Sequence, residues 1–284
     1  MSQNAHLLIL GLWIFALTGI TSGKAAAEAQ PSTCLSIAQS FPGQNFANEV
    51  TENAIAKVTY ASLISTPLST YQVRISFKGH STYLIESASG VSIATDYSGF
   101  IDGDVPKVVT MNHAHSTHYT EYLDPGIVHV LRGWNPDGGV AKHHISVEDV
   151  LIRNVTTDIV IGNVRVPDDN SIFIYEIAGL CIGHLGHLHH ELSDEHYAKI
   201  GRLDVVMVPI DGAMTLSLGG MAKIIKRLRS SIILPMHARG WATPADLITM
   251  LGDGFDHKYL ESREIIVSLN DLPDRPTVFV PSGL

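Results

Sequence analysis

The largely apolar run Val105–Met111 passes directly into Asn112-His113-Ala114-His115-Ser116-Thr117-His118, three histidines within six residues. A short apolar run bounded by polar residues reads as a buried strand. The histidines therefore stand where a strand hands over to a loop, and such a loop can turn several imidazoles toward one point. A neutral imidazole is the commonest protein ligand for zinc and similar metals. Two later stretches repeat the pattern. Gly179-Leu180-Cys181-Ile182-Gly183-His184 is an apolar strand with His187 close behind, and Ser231–Pro235 is a strand that delivers His237. A fold that suits this chain must collect the ends of several strands at one edge. The competing reading is a set of histidine-rich surface loops that hold nothing.

Composition narrows the partners. The chain has 284 residues, 45% hydrophobic and 17% charged, enough apolar content to bury a sizeable core. Its 19 Lys plus Arg against 28 Asp plus Glu leave a formal net charge of −9. Phosphate backbones are bound by grouped basic residues, so nucleic acid is not expected as a partner and a small-molecule substrate is. Oligomeric state is not legible. The segment Leu7–Ile20 is apolar and shorter than the about 20 residues a membrane helix needs. Ala25-Ala26-Ala27 follows it as an A-x-A-like cleavage site, although no Lys or Arg precedes the apolar core. Residues 1–27 are read as a signal peptide, which places the mature chain in the periplasm or outside the cell. Cys34 and Cys181 are the only cysteines. In an oxidising compartment they can pair; as two unrelated thiols they need not, and both readings stay open.

Residues 28–69 carry no motif and are read as an N-terminal extension; residues 70–284 are read as one domain. Strands are expected at Gln72–Phe77, Thr82–Glu86, Val91–Thr95, Lys107–Met111, Val128–Leu131, Val147–Val155 and Ile172–Ile177. Gly79-His80-Ser81 makes a turn, in which His80 is read as structural. Ser193 and Thr243 are expected N-caps, the latter with Pro244 at the first helical position. Gly220–Ser230 has helical spacing with a basic face read as solvated. Strands first, then alternating strands and helices, point to two sheets with helices outside.

The order Gly-His-Ser turn, strand ending in Asp96, strand into His-x-His-x-x-His, Gly-rich strand into His184-Leu185-Gly186, apolar strand into Val208-Pro209, then Pro235-Met236-His237 resembles the metallo-β-lactamase-fold hydrolases. Within them it is most similar to the ascorbate-phosphate lactonase-like branch. The resemblance covers Thr70 to Leu284 and implies an α/β fold, an αββα four-layer sandwich with one or two zinc, manganese or iron ions at the sheet edges. Metal-activated water would then attack an ester, lactone, amide or phosphodiester. The candidate ligands are His113, His115, His118, His184, His187 and His237.

Three departures bear on the chemistry. Thr117 stands where the family motif has an Asp, and His187 where a bridging Asp is usual. A family histidine is missing from the stretch Val155-Thr156-Thr157-Asp158, for which Asp158 or His184 would substitute. The site thus has fewer carboxylates and more imidazoles, which favours zinc, copper, nickel or iron over magnesium or calcium, with zinc expected first and iron or manganese as alternatives. Asp211 is the candidate base beside Asp158, or else an ordinary turn residue. Asp96 supports a ligand or simply ends its strand. His189, His190 and His196, close behind the second histidine group with Glu191, Asp194 and Glu195, are read as a solvated helix start, with metal recruitment or the cleft lip as the alternative, and His143-His144 as surface loop. The function expected is metal-dependent hydrolysis; the alternatives are a metal-binding protein of the same fold with little turnover, or an iron-dependent oxidoreductase.

Overall fold

The continuous apolar stretch Val205–Pro209 is buried at every residue, as expected of a strand covered on both faces. Val205 and Met207 point one way, into a core shared with Phe173, Tyr175, Ile232 and Phe279. Val206 and Val208 point the other way, into a core shared with Ile200, Met221, Ile225 and Leu247. The period of two thus divides one strand between two hydrophobic layers. The computed structural model describes residues 31–35, 67–238 and 242–284. The expected signal segment lies outside the described residues, as does most of the extension.

The first sheet contains β1 (Val73–Gly79), β2 (Thr82–Glu86), β3 (Ser92–Ala94), β4 (Val108–Met111), β5 (His129–Arg132) and β13 (Glu264–Val267), in the order β13-β1-β2-β3-β4-β5. The second contains β6 (His144–Val147), β7 (Val150–Ile161), β8 (Val164–Ile177), β9 (Leu180–His184), β10 (Val205–Pro209), β11 (Ile232–Met236), β12 (Asp256–Tyr259) and β14 (Thr277–Val280), in the order β12-β14-β11-β10-β9-β8-β7-β6. Three helices, α1 (Asp194–Ile200), α2 (Leu218–Leu228) and α3 (Pro244–Leu251), cover the outer face of the second sheet. Ile101, Trp134, Tyr119 and Leu123 cover the outer face of the first. This is the two-sheet α/β sandwich expected. The helix starts agree too: Ser193 and Thr243 accept from the third residue of their helices, and Ser217 caps α2.

One stretch departs from expectation, with consequences for the site. Val147–Val155 is not a single strand. A turn at Glu148-Asp149, with Glu148 at φ 52°, separates β6 from β7. His144 belongs to β6 rather than to a loop. β7 then runs on to Ile161, and Gly162, at φ 60°, turns it back into β8. Asp158 is therefore an interior residue of a long hairpin arm and does not end a strand at the sheet edge. Periodicity alone cannot tell a strand's end from its continuation when the pattern stays polar/apolar.

Cys34 and Cys181 form a disulfide, with Cα atoms 5.9 Å apart. It fastens residues 31–35 to the outside of the second sheet. Both cysteines are fully buried. Closing a loop between residues 147 apart in sequence stabilises mainly by restricting the unfolded chain. Replacing both cysteines by serine is expected to cost about 2–5 kcal/mol. Urea unfolding of the two proteins measures it, and coincident midpoints would refute it.

A second clip lies beside the first. The buried Glu176 carboxylate accepts from the backbone N–H of Thr33 (2.9 Å) and Cys34 (3.3 Å) and from the Ser32 hydroxyl. Arg153 donates to Glu176 at 3.1 Å and to the carbonyls of Lys199 (2.8 Å) and Ile200 (2.6 Å). Burial alone would raise the Glu176 pKa, but these donors outweigh it and hold the carboxyl below its ordinary value. The folded pKa is depressed, so the stabilisation is present above the unfolded value of about 4.3 and is lost as pH falls through the folded value. Glu176→Ala leaves Arg153 buried without its counter-charge, at an expected cost of about 3–5 kcal/mol. Unfolding measured from pH 7 down to pH 3 should show the gap between variant and parent closing in acid. A gap independent of pH would contradict the assignment.

Candidate metal centre

Parallel strands deliver the candidate residues to one edge. β3 and β4 end at Asp96 and at the His113–His118 loop. β9, β10 and β11, in the facing sheet, end at His184, Asp211 and His237. Side chains at the carboxyl ends of parallel strands lie where α/β sheets bind ligands. Backbone contacts pin the two sheets together here. Ser171 N–H donates to Asn112 carbonyl at 2.9 Å, and His113 pairs with Asn170. His237 N–H donates to His80 carbonyl at 2.7 Å, joining the end of β11 to the β1–β2 turn.

Five of the six predicted ligands gather. The His118 ring lies 4.5 Å from His187, 5.3 Å from His237 and 5.8 Å from His115, centre to centre. His187 lies 5.5 Å from His113. Gly186 permits this. It sits at φ 63°, and a Cβ there would fall 2.6 Å from Asn112 Nδ2 and 2.7 Å from Asn170 Oδ1. The bare backbone lets His187 N–H reach Asn170 Oδ1 at 2.9 Å.

Most of these rings are tethered through Nδ1. His113 Nδ1 lies 2.8 Å from the Asp169 carbonyl, and His115 Nδ1 lies 3.0 Å from Thr117 Oγ1. His118 Nδ1 meets the fully buried Asp96 carboxylate, and His237 Nδ1 lies 3.3 Å from Asp211 Oδ1. Anchoring one ring nitrogen on an oxygen fixes the tautomer and leaves the other nitrogen as a donor to a metal. His118 Nε2 is buried with no hydrogen-bond partner, and so are His187 Nδ1 and His237 Nδ1, the last held only by its charge contact with Asp211. Orphaned buried nitrogens are costly unless something binds them. Burial opposes charge on the His118 ring, but Asp96 outweighs it and raises the pKa. His187 has no such partner. Burial, then the neighbouring His118, His189, His113 and His237, push it down to about 2, so it keeps a free lone pair. The residues present suit a zinc-class ion.

Three expectations are corrected. His184 does not join the cluster. Its Nε2 lies 2.8 Å from the Ser81 carbonyl and its Nδ1 accepts from Gly186 N–H at 3.1 Å, which leaves no lone pair to offer. Asp158 faces elsewhere. Its Oδ2 pairs with Arg165 at 3.3 Å and its Oδ1 accepts from Asp168 N–H at 3.1 Å. Asp211 is fully buried and its carboxylate is saturated by the backbone N–H groups of Ala213, Met214 and Thr215, the Thr215 hydroxyl and His237. Burial would raise its pKa, but these donors drive it far below the carboxylate range. With its oxygens taken by these donors and facing His237, it is placed as a positioning residue rather than as a free base.

Two residues read as bystanders stand at the cluster. His80 lies 4.2 Å from His237 and 5.4 Å from His118 between ring centres. The His189 ring lies 4.8 Å from His187, with Nδ1 2.8 Å from the Val160 carbonyl and Nε2 buried without a hydrogen-bond partner. A turn histidine beside glycine was the one visible signal for His80. The local signal for His189 was its place just behind His184 and His187; the arm of β7 that holds it lies far away in sequence. His190 and His196 pair with each other beside Asp158 instead.

The β-lactamase superfamily domain profile matches residues 74–237, more than half of the chain. The chain belongs to this superfamily. It is 24% identical over 215 residues to a UPF0173 metal-dependent hydrolase of Pyrococcus abyssi, covering 64% of this chain and 93% of the relative. With a UPF0173 protein of Pyrococcus furiosus it shares 28% identity over 215 residues, covering 70% and 96%. A Thermotoga maritima protein assigned to the Zn-dependent hydrolases of the metallo-β-lactamase superfamily matches in structure with a TM-score of 0.55 at 23% identity. That match covers 74% of this chain and 98% of the other. These likenesses carry to the superfamily and its fold, not to a branch within it. Among the described residues no helix is long and apolar enough to cross a membrane.

Proposed function

We propose that this protein is an extracytoplasmic metal-dependent hydrolase acting on an ester, lactone, amide or phosphodiester of a small molecule. The observation that carries the reading is the gathering of five imidazoles, three of them (His113, His115 and His118) hydrogen-bonded through Nδ1, around buried ring nitrogens that have no hydrogen-bond partner, among them His118 Nε2 and His187 Nδ1. His113, His115, His118, His187 and His237 are the proposed holders of zinc, with iron or manganese as alternatives. A bound ion of this class supplies Lewis acidity and water acidified to a pKa of about 7. Asp96 and Asp211 hold His118 and His237 in register. His115 is exposed, at the solvent side of the cluster. The buried disulfide and the Leu7–Ile20 segment support a location outside the cytoplasm.

A metal-holding protein with little turnover is the second reading. It is favoured by Thr117 and by the full commitment of Asp96 and Asp211, which leave the cluster without a free carboxylate base among these residues. Elemental analysis of the purified protein, followed by ester, lactone, phosphodiester and β-lactam assays with and without chelator, separates the two. Chelator-sensitive turnover supports the hydrolase. Stoichiometric metal without turnover on any panel supports the second reading, and iron with redox activity sinks the first.

A further inference from the structure

We propose that His80 is itself a metal ligand, forming with His118 and His237 a three-imidazole site for a zinc-class divalent ion. The inference rests on the metal-dependent reading above and adds a residue that the His-x-His pattern does not contain. One ring nitrogen from each of His80, His118 and His237 lies within 4.8 Å of the others, and among the described residues this is the one group of three His, Cys, Asp or Glu that meets that distance. Nitrogens bound to one tetrahedral zinc at about 2.0–2.1 Å sit about 3.3–3.4 Å apart, so the rings close the site by moving inward by up to about 1.5 Å, within reach of side-chain rotation.

The three residues come from separate elements and both sheets: the β1–β2 turn, the loop after β4 and the end of β11. The backbone is committed to this placement. His80 and His237 both hold left-handed conformations, at φ 51° and 53°, and the His237 N–H bond to the His80 carbonyl locks one to the other. Bulky residues in that region persist where surrounding structure over-determines them, commonly at ligand sites. Asp96, also left-handed at φ 49°, turns its carboxylate onto His118, while Asp211 backs His237. Thr117 offers no carboxylate, and His80 supplies the third donor in its place. Three imidazoles leave one position of a tetrahedral ion open, as catalytic zinc sites require.

The test compares His80→Asn with His80→Asp in the full chain. Both side chains tolerate a left-handed backbone and have nearly the same shape, but only Asp is an anionic ligand. Chelator-stripped protein is titrated with Zn²⁺ by calorimetry and with Co²⁺ by visible absorption, and folding is checked by thermal melting without metal. His80→Asn should bind at least about a hundredfold more weakly with an altered Co²⁺ spectrum, and His80→Asp should stay within about tenfold of the parent. If the two variants bind alike, or His80→Asn keeps the parent affinity and spectrum while His118→Ala loses metal, His80 is structural and the hydrolase reading stands. If the parent itself binds neither ion, both fall.

Discussion

His118→Ala should strip the protein of metal and of chelator-sensitive hydrolysis together. His118 is 1% exposed, its Nδ1 is held by Asp96, and its ring lies between His187, 4.5 Å away, and His237, 5.3 Å away. No other histidine of the loop is as central. Removing an outer partner of a metal-bound histidine costs about 10–100-fold in affinity, so removing the ligand itself should exceed about a hundredfold. The same change leaves the Asp96 carboxylate buried without its counter-charge, at an expected cost of about 3–5 kcal/mol to the metal-free fold. Metal content and urea unfolding report the two effects separately. A variant with the parent's metal content would remove His118 from the site, whatever happened to its stability.

Asp211→Asn addresses a different question, whether this carboxylate is a base or a positioning residue. Its oxygens are occupied by three backbone amides, the Thr215 hydroxyl and His237, and it is held ionised far below the ordinary carboxylate range. As a positioning residue it acts by orienting His237. The amide should then weaken metal binding by about 10–100-fold and leave the acid limb of the pH–rate profile where it is in the parent. If affinity is intact and the acid limb moves or disappears, Asp211 takes up a proton in the reaction and its assignment here is wrong. Asp211→Ala should go further and destabilise the β10–α2 connection, because it leaves three backbone N–H groups, that of Thr215 buried, without an acceptor.

The candidate base drawn from sequence illustrates what local reading can and cannot reach. Asp211 was legible as a residue at the end of an apolar strand, and it is indeed there. Its side chain's partners were not legible, because they depend on how the Ala213–Thr215 turn folds back on it. His184 shows the same limit. It ends β9 as expected, yet one contact with Ser81, 103 positions away in sequence, and one with Gly186 consume both its nitrogens. Asp158 failed for a different reason, since its strand did not end where the pattern seemed to break.

The His113-Ala-His115-Ser-Thr-His118 stretch and the strand-end positions of His187 and His237 were determined by sequence alone. Apolar runs of strand length, closed by polar residues, dictate which residues leave the sheet and at which end. The alternation that divides Val205–Pro209 between two cores was determined in the same way. Only the tertiary structure decided which imidazoles meet. Periodicity specifies the face and the end of an element, but distance between two side chains depends on strand pairings far apart in the chain. His80 meets His237 because a turn in one sheet is hydrogen-bonded to a strand end in the other, and no window of sequence contains both.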